Sequence, residues 1–149
     1  MTESKNPLKP MLKIAMATVG NHYTFYSRAA NTVQTTQVKA LLMVLSETEE
    51  ELMAKIEDMM ITGVVDELEE VSAADMDTPD AMPFDLARED NDPRIYVCNR
   101  SLEQELKAYT FFLSVAARAK NEVISRVFEY FAYVKTQQIE RIRKVCETF

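Results

Sequence analysis

Glycine and cysteine are both scarce in this sequence, and each scarcity excludes a class of protein. Only 2 of the 149 residues are glycine, whereas chains of many short strands need glycine at their turns, so an all-α fold is expected. The two cysteines, Cys98 and Cys146, form no CxxC pair, which excludes four-cysteine zinc and iron sites. We therefore expect reduced thiols and a cytoplasmic protein.

Long apolar runs are also missing. A membrane-spanning helix needs roughly 20 predominantly apolar residues in a row, and no run in this chain approaches that length. The first ten residues, MTESKNPLKP, lack the apolar core of a signal peptide. We expect a single domain over residues 1–149 that does not bind membranes.

Acidic residues outnumber basic ones, and the excess is concentrated in one segment. The formal net charge is −7, and residues 47–92 hold 17 acidic residues against only Lys55 and Arg88. Because nucleic-acid binding depends on Lys and Arg, we expect none. We interpret the segment as a solvated face and connection. A docking surface for a basic protein partner, or for the basic half of a second copy, is the alternative.

The chain contains an internal repeat with a shift of 86 positions. The aromatic segment YTFY at 23–26 recurs as YTFF at 109–112. The same shift, without a gap, pairs apolar positions at helical spacing: Val38 with Ile124, Leu41 with Val127, Leu42 with Phe128, Leu45 with Phe131, Met53 with Ile139 and Ile56 with Ile142. The repeat indicates one helical hairpin written twice.

Local signals place the helix ends. Ser101 with Gln104 three residues later matches a capping box and predicts the start of the third helix, and Asn121 can cap the fourth. Gly63 ends the second helical pattern. The predicted helices span 10–31, 37–61, 101–119 and 122–146.

These helices form two hairpins, 10–61 and 101–146, joined by an acidic crossover over residues 62–100. A long crossover between the second and third helices lets the second hairpin pack beside the first, as in one variant of the four-helix bundle. The sequence therefore predicts a single all-α four-helix bundle.

Charged and polar side chains interrupt the apolar stripes that should face the core. Glu105 lies on the inner stripe of the third helix, Glu49 on that of the second, and Lys135 with Gln138 on that of the fourth, while His22 lies at the edge of the first. A buried charge is costly unless it is paired or binds a metal. These residues are the candidate functional site.

Two aromatic boxes, HYTFYSRAA and AYTFFLSVAA, and the segments VKALLMVLSETEEELMAKIEDMM and EVISRVFEYFAYVKTQQIERI resemble rubrerythrin-like members of the ferritin-like superfamily. The resemblance covers most of residues 10–146. It implies a ferritin-like bundle, a di-iron centre held by glutamates of helices 1 and 3 and by Glu-x-x-His of helices 2 and 4, and a homodimer.

Carried over residue by residue, the resemblance implies a degenerate di-iron site. Rubrerythrins add a further glutamate on helix 3, and only two of the seven family ligand positions keep a ligand, Glu49 and Glu105. The other five positions hold side chains that do not ligate iron: Met16, Leu52, Leu102, Lys135 and Gln138.

We interpret Lys135 as an ammonium that replaces the metal between Glu49 and Glu105. Gln138 can donate to one carboxylate, and the hydroxyl of Tyr23 or Tyr109 to another. The residual charge of −1 requires a protonated carboxyl with a raised pKa or a further cation. This interpretation predicts a non-catalytic binding or assembly module, without a cofactor, that forms homodimers.

Two alternatives remain. In the first, Glu49, Glu105 and His22 hold iron in a rearranged site, and the protein is an iron-dependent oxidoreductase or peroxidase. In the second, the former metal cavity binds a small ligand, because Met16, Leu52 and Leu102 give it an apolar wall. His22 taken alone is expected to be a core or boundary histidine.

Overall fold

The computed structural model describes residues 7–65 and 68–149, and this part of the chain forms four α-helices and no strand. The prediction of an all-α protein with four helices is therefore confirmed. None of the helices in the described ranges is long and apolar enough to span a membrane. The helices are α1 (Leu8–Thr32), α2 (Thr36–Thr62), α3 (Pro93–Arg118) and α4 (Glu122–Cys146).

Two of the predicted helix ends are confirmed. Gly63 follows α2 in the left-handed conformation, with φ of 74°, which glycine adopts without steric cost and which commonly ends a helix. The side chain of Asn121 accepts hydrogen bonds from the backbone N–H groups of Val123 and Ile124 at the start of α4. Both ends are set by local chemistry and were visible in the sequence.

The predicted start of α3 at Ser101 is wrong, because the helix begins eight residues earlier. Asp92 caps α3 by accepting a hydrogen bond from the backbone N–H of Arg94. Pro93 occupies the first helical position, where its missing N–H costs nothing. Ser101 instead lies inside α3, buried. The crossover is correspondingly shorter than predicted and covers residues 63–92.

The helices pack as two hairpins, α1 on α2 and α3 on α4, and the hairpins meet mainly through α2 and α4. The apolar core is divided into two clusters along the bundle. Leu45 and Tyr26 belong to one cluster, whereas Leu52 and Val19 belong to the other. The layer between the clusters is polar.

Burial follows the 86-residue shift in the second helix of each hairpin. Each buried residue of α2 from position 38 to 56 has a buried counterpart in α4. This agreement includes the pair Glu49 and Lys135, which are 86 positions apart. The full set of buried pairs is Val38–Ile124, Leu41–Val127, Leu42–Phe128, Leu45–Phe131, Glu49–Lys135, Leu52–Gln138 and Ile56–Ile142.

The crossover is anchored to the bundle by Phe84. Its side chain is buried, and its backbone is bound by Asn99, which accepts from the Phe84 N–H at 2.7 Å and donates to the Phe84 carbonyl at 2.9 Å. Apart from two short 3-10 turns, Ala73–Asp75 and Leu86–Arg88, the described part of the crossover is irregular. The two hydrogen bonds to Asn99 hold the backbone of Phe84 against α3.

The expectation of reduced thiols is wrong. Cys98 and Cys146 form a disulfide, with their Cα atoms 6.1 Å apart, and both residues are buried. The longer α3 explains the error, because it places Cys98 inside the helix, against the last turn of α4, rather than in a preceding loop. Disulfides are typical of oxidising compartments, so the cysteines no longer argue for the cytoplasm.

Candidate functional site

A cluster of ionisable side chains fills the polar layer between the two apolar clusters. Each helix contributes one member: His22 from α1, Glu49 from α2, Glu105 from α3 and Lys135 from α4. The two glutamates and the lysine are fully buried, and His22 is 6% exposed. His22 is therefore a core residue and does not lie at the edge. The structure brings these four candidates together, and we call them the central cluster; the fifth candidate, Gln138, contacts it from α4.

Lys135 lies at the middle of the central cluster. Its Nζ is 2.8 and 2.7 Å from Oε1 and Oε2 of Glu49, 3.2 Å from Oε1 of Glu105 and 3.0 Å from Nδ1 of His22. The predicted contact of Lys135 with both carboxylates is present. An ammonium has three N–H donors, and two carboxylates and one imidazole lie within reach of them.

Glu105 has two further partners on α1. The hydroxyl of Tyr26 donates a hydrogen bond to Oε2 of Glu105, and Nδ1 of His22 lies 3.1 Å from the same oxygen. The prediction that Tyr23 or Tyr109 supplies this hydroxyl is wrong, because Tyr26 supplies it; Tyr23 and Tyr109 are only partly buried. Tyr26 lies one helical turn beyond Tyr23 and is fully buried.

A signal for Tyr26 was present in the sequence. Its counterpart across the 86-residue shift is Phe112, and both are completely buried. The two inner positions thus differ by a single hydroxyl, and a buried tyrosine hydroxyl usually has a hydrogen-bond partner. The exchange of Phe for Tyr on an inward stripe therefore indicates a polar neighbour.

Gln138 connects the central cluster to the outer part of the bundle. Its Nε2 donates to Oε2 of Glu49 and to the backbone carbonyl of Leu45, both at 3.0 Å. Its Oε1 accepts a hydrogen bond of 2.7 Å from Arg141, which also donates to Thr48 at 3.1 Å. The predicted donation from Gln138 to a carboxylate is present, and Arg141 fixes the orientation of the amide.

The pKa values of the two carboxyls move in opposite directions. Burial and the charge of Glu105 raise the pKa of Glu49 to about 7. Burial also acts to raise the pKa of Glu105, but Lys135, His22 and Tyr26 together lower it to about 2. Burial and the two carboxylates raise the pKa of the Tyr26 hydroxyl, which stays a neutral donor. Two carboxylates and one ammonium leave a net charge of −1 in the central cluster. Protonation of Glu49 reduces this charge.

The remaining former ligand positions carry apolar packing. Leu52 is buried in one apolar cluster, and Met16 packs against the same cluster from a partly buried position. Leu102 is buried in the other cluster. These residues add no hydrogen-bonding side chain to the polar layer, which the central cluster, Tyr26 and Gln138 supply with such groups.

Three members of the central cluster have the geometry of a metal site. Donor atoms of His22, Glu49 and Glu105 lie within 4.8 Å of one another. Two carboxylates and an imidazole suit a transition metal. However, the Lys135 ammonium contacts all three donors, so the residues do not fit a metal while Lys135 is in place.

Comparison of the chain with protein-family models, with curated proteins and with solved structures found no match. The relation to rubrerythrin-like proteins therefore stays a prediction from the motifs. What the site can do follows from its geometry: it neutralises buried carboxylates with an ammonium and joins all four helices through polar contacts.

Replacing Tyr26 with phenylalanine is expected to lower the free energy of unfolding by about 1.5–3 kcal/mol, the range for a hydrogen bond to a charged group. The substitution removes only the hydroxyl that Glu105 accepts from and leaves the ring packing intact. Urea unfolding at pH 7 measures the change. Tyr23→Phe is the matched control, and an equal loss in both variants would contradict the role assigned to Tyr26.

Proposed function

We propose that this protein is a non-catalytic bundle of the ferritin-like type, in which the Lys135 ammonium takes the place of a metal, and that it serves as a binding or assembly module and forms homodimers. The observation that carries the proposal is the position of Lys135 Nζ. It is fully buried and lies within 3.2 Å of both carboxylates. A cation is thus built into the chain at the centre of the bundle.

The charge balance supports this proposal. A metal ion in such a site neutralises its carboxylate ligands, and Lys135 supplies one positive charge to the same two carboxylates. A proton on Glu49, whose pKa is raised to about 7, compensates about half of what is left at pH 7 and more at lower pH. The cluster can therefore remain buried without a cofactor.

The burial of the cluster favours a structural role over catalysis. A substrate must reach a catalytic group, whereas Glu49, Glu105, Lys135 and Gln138 are all 0% exposed. Their close contacts fill the centre of the layer, which argues against a small-ligand pocket there. Buried ionic groups can specify one arrangement of helices. We propose that this cluster fixes the register of the four helices and thereby the shape of the outer surface that binds partners.

A metal-dependent oxidoreductase is the second candidate, and the proximity of His22, Glu49 and Glu105 is the observation that favours it. In that case Lys135 would have to withdraw from the donors before a metal could bind. The two candidates differ in one measurable property, which is the metal content of the unmodified protein.

Metal analysis of protein purified from iron- and manganese-supplemented medium tests the proposal. We expect no metal above background in the unmodified chain, because Lys135 contacts all three donors. Lys135→Ala should bind about one metal ion per chain, since two carboxylates and an imidazole then remain. The combination of Lys135→Ala with Glu49→Gln is the control and should lose most of this binding.

The opposite result would favour the second candidate. If the unmodified chain retains iron through dialysis and turns over peroxide or oxygen, the replacement of the metal by Lys135 is disproved. Circular dichroism of each variant, measured alongside, shows whether a variant without metal is still folded. The disulfide is atypical of the cytoplasm, so the proposal does not extend to a cytoplasmic location.

A further inference from the structure

A shallow apolar groove runs along the outer surface between α2 and α4. Leu41 and Val44 of α2 and Val145 of α4 line it, and its volume is about 520 Å³. Val44 is 44% exposed. Exposed apolar side chains that lie next to one another can form part of an interaction site. Because the groove is open along its length, it suits a protein surface better than a small molecule.

The groove has a basic wall. Arg141 and Lys144 line it on the α4 side, and no acidic residue of the described chain does. Within residues 7–65 and 68–149, neither cation has a carboxylate at ion-pair distance, although other Arg and Lys side chains do. A complementary partner would therefore present carboxylates next to an apolar side chain.

The crossover of the same chain presents such a surface. Asp75, Asp77 and Asp80 follow one another along it, and Met82 is 66% exposed. Arg143 of α4 donates hydrogen bonds to the backbone carbonyls of Asp80 and Met82, at 3.0 and 2.9 Å. This acidic segment, residues 75–82, is thus held in place before any partner binds, which lowers the entropic cost of association.

The groove and the acidic segment lie on the two sides of the last turns of α4. Lys144 borders the groove, and it also borders a second depression between α4 and residues 75–80. In a two-fold dimer the same patch of each copy faces the other copy. That patch must therefore contain both the groove and the segment that fills the groove of the partner. The C-terminal part of α4 provides this continuity.

We infer that the groove between α2 and α4 binds residues 75–82 of a second copy of this chain, in a two-fold dimer whose axis passes near the last turns of α4. This inference rests on the proposed homodimer and assigns its surface. Val44 and Val145 contact Met82 of the second copy, while Arg141 and Lys144 pair with its Asp75 and Asp77. Asp80 already pairs with Arg143 of its own chain, whose Nε lies 3.4 Å from Asp80 Oδ2. Dissociation at high salt is expected, because exposed ion pairs are screened.

Light scattering coupled to size-exclusion chromatography tests the surface at micromolar concentration. The unmodified chain should have twice the mass of 17.1 kDa. Val44→Glu and Lys144→Glu should each give 17.1 kDa, and adding Asp77→Lys to Lys144→Glu should restore the dimer by exchanging the charges. Val123→Glu and Lys13→Glu, exposed positions away from the groove, are the matched controls and should leave the dimer intact.

Three other results would contradict the homodimer, the groove or the acidic segment separately. A single-chain mass for the unmodified protein overturns both the proposed homodimer and this surface. A dimer that survives Val44→Glu and Lys144→Glu overturns the surface while the homodimer stands. If Lys144→Glu breaks the dimer and Asp77→Lys does not restore it, the acidic segment is not the partner. Helix content measured by circular dichroism confirms that each variant is folded.

Discussion

Replacing Lys135 with methionine is expected to lower the free energy of unfolding by about 3–5 kcal/mol at neutral pH, the usual cost of removing one member of a buried ion pair. Methionine keeps most of the length and the packing of the side chain but removes the charge. Glu49 and Glu105, both fully buried, would then share one volume without a cation. Urea unfolding of the variant and the unmodified protein measures the difference.

The loss should shrink as the pH is lowered. In the variant, the facing carboxylates raise each other's pKa in the folded state, so the folded protein binds protons more tightly than the unfolded chain. A raised folded-state pKa makes a stabilising contribution that is present below the unfolded pKa, 4.5 for Glu, and is lost as the pH rises through the folded value. The variant should therefore be least stable above pH 7 and recover toward pH 5.

The unmodified protein has its own pH dependence, which the comparison must include. Glu49, whose pKa is raised to about 7, contributes stability that is lost between pH 4.5 and 7 as the pH rises. Glu105, whose pKa is lowered to about 2, contributes stability that is lost only as the pH falls below 4.5. The cluster is thus most stabilising near pH 4.5, and the two proteins should be compared at each pH.

Two control variants separate the charge effect from packing. Lys13→Met, at an exposed position of α1, should change the free energy of unfolding by less than about 0.5 kcal/mol. Adding Glu49→Gln to Lys135→Met removes one of the facing carboxylates and should recover part of the loss. If Lys135→Met is as stable as the unmodified protein at every pH, the ion pairs are not what holds this layer together.

Removing the disulfide is the second change with a large expected effect. Cys98 and Cys146 are separated by 48 positions, and the loop-entropy relation gives about 4 kcal/mol for a loop of this size. This is a large fraction of the roughly 5–15 kcal/mol that stabilises an ordinary domain. Cys98→Ala with Cys146→Ala should lower the free energy of unfolding by this amount.

A reductant provides an independent measurement of the same effect. Dithiothreitol should destabilise the unmodified protein about as much as the double substitution does, and it should have no effect on the double variant. Urea unfolding with and without the reductant gives both values. An unfolding curve of the unmodified protein that does not respond to complete reduction, verified by thiol titration, would show that the bridge adds nothing to stability.

The four helices and the stripes they bury could be predicted from the sequence, because helical periodicity is a local property. Val38, Leu45 and Ile56, with their counterparts in α4, follow that period and are buried as expected, whereas Met53 is only partly buried. The start of α3 could not be placed, because Pro93 follows Asp92 in a segment rich in proline and acid that is typical of a loop. The same Asp-Pro pair is also a good helix start, and only packing of the first two turns distinguishes the two.

By itself, the sequence determined that Glu49, Glu105 and Lys135 face the core. Helical spacing shows each of them among apolar residues, and a buried charge requires a partner. Only the tertiary structure decided which atoms meet. Tyr26 rather than Tyr23 donates to Glu105, His22 completes the cluster, and the two cysteines bond to each other. These outcomes depend on how far each helix is shifted and rotated against its neighbours, and helical periodicity does not determine either quantity.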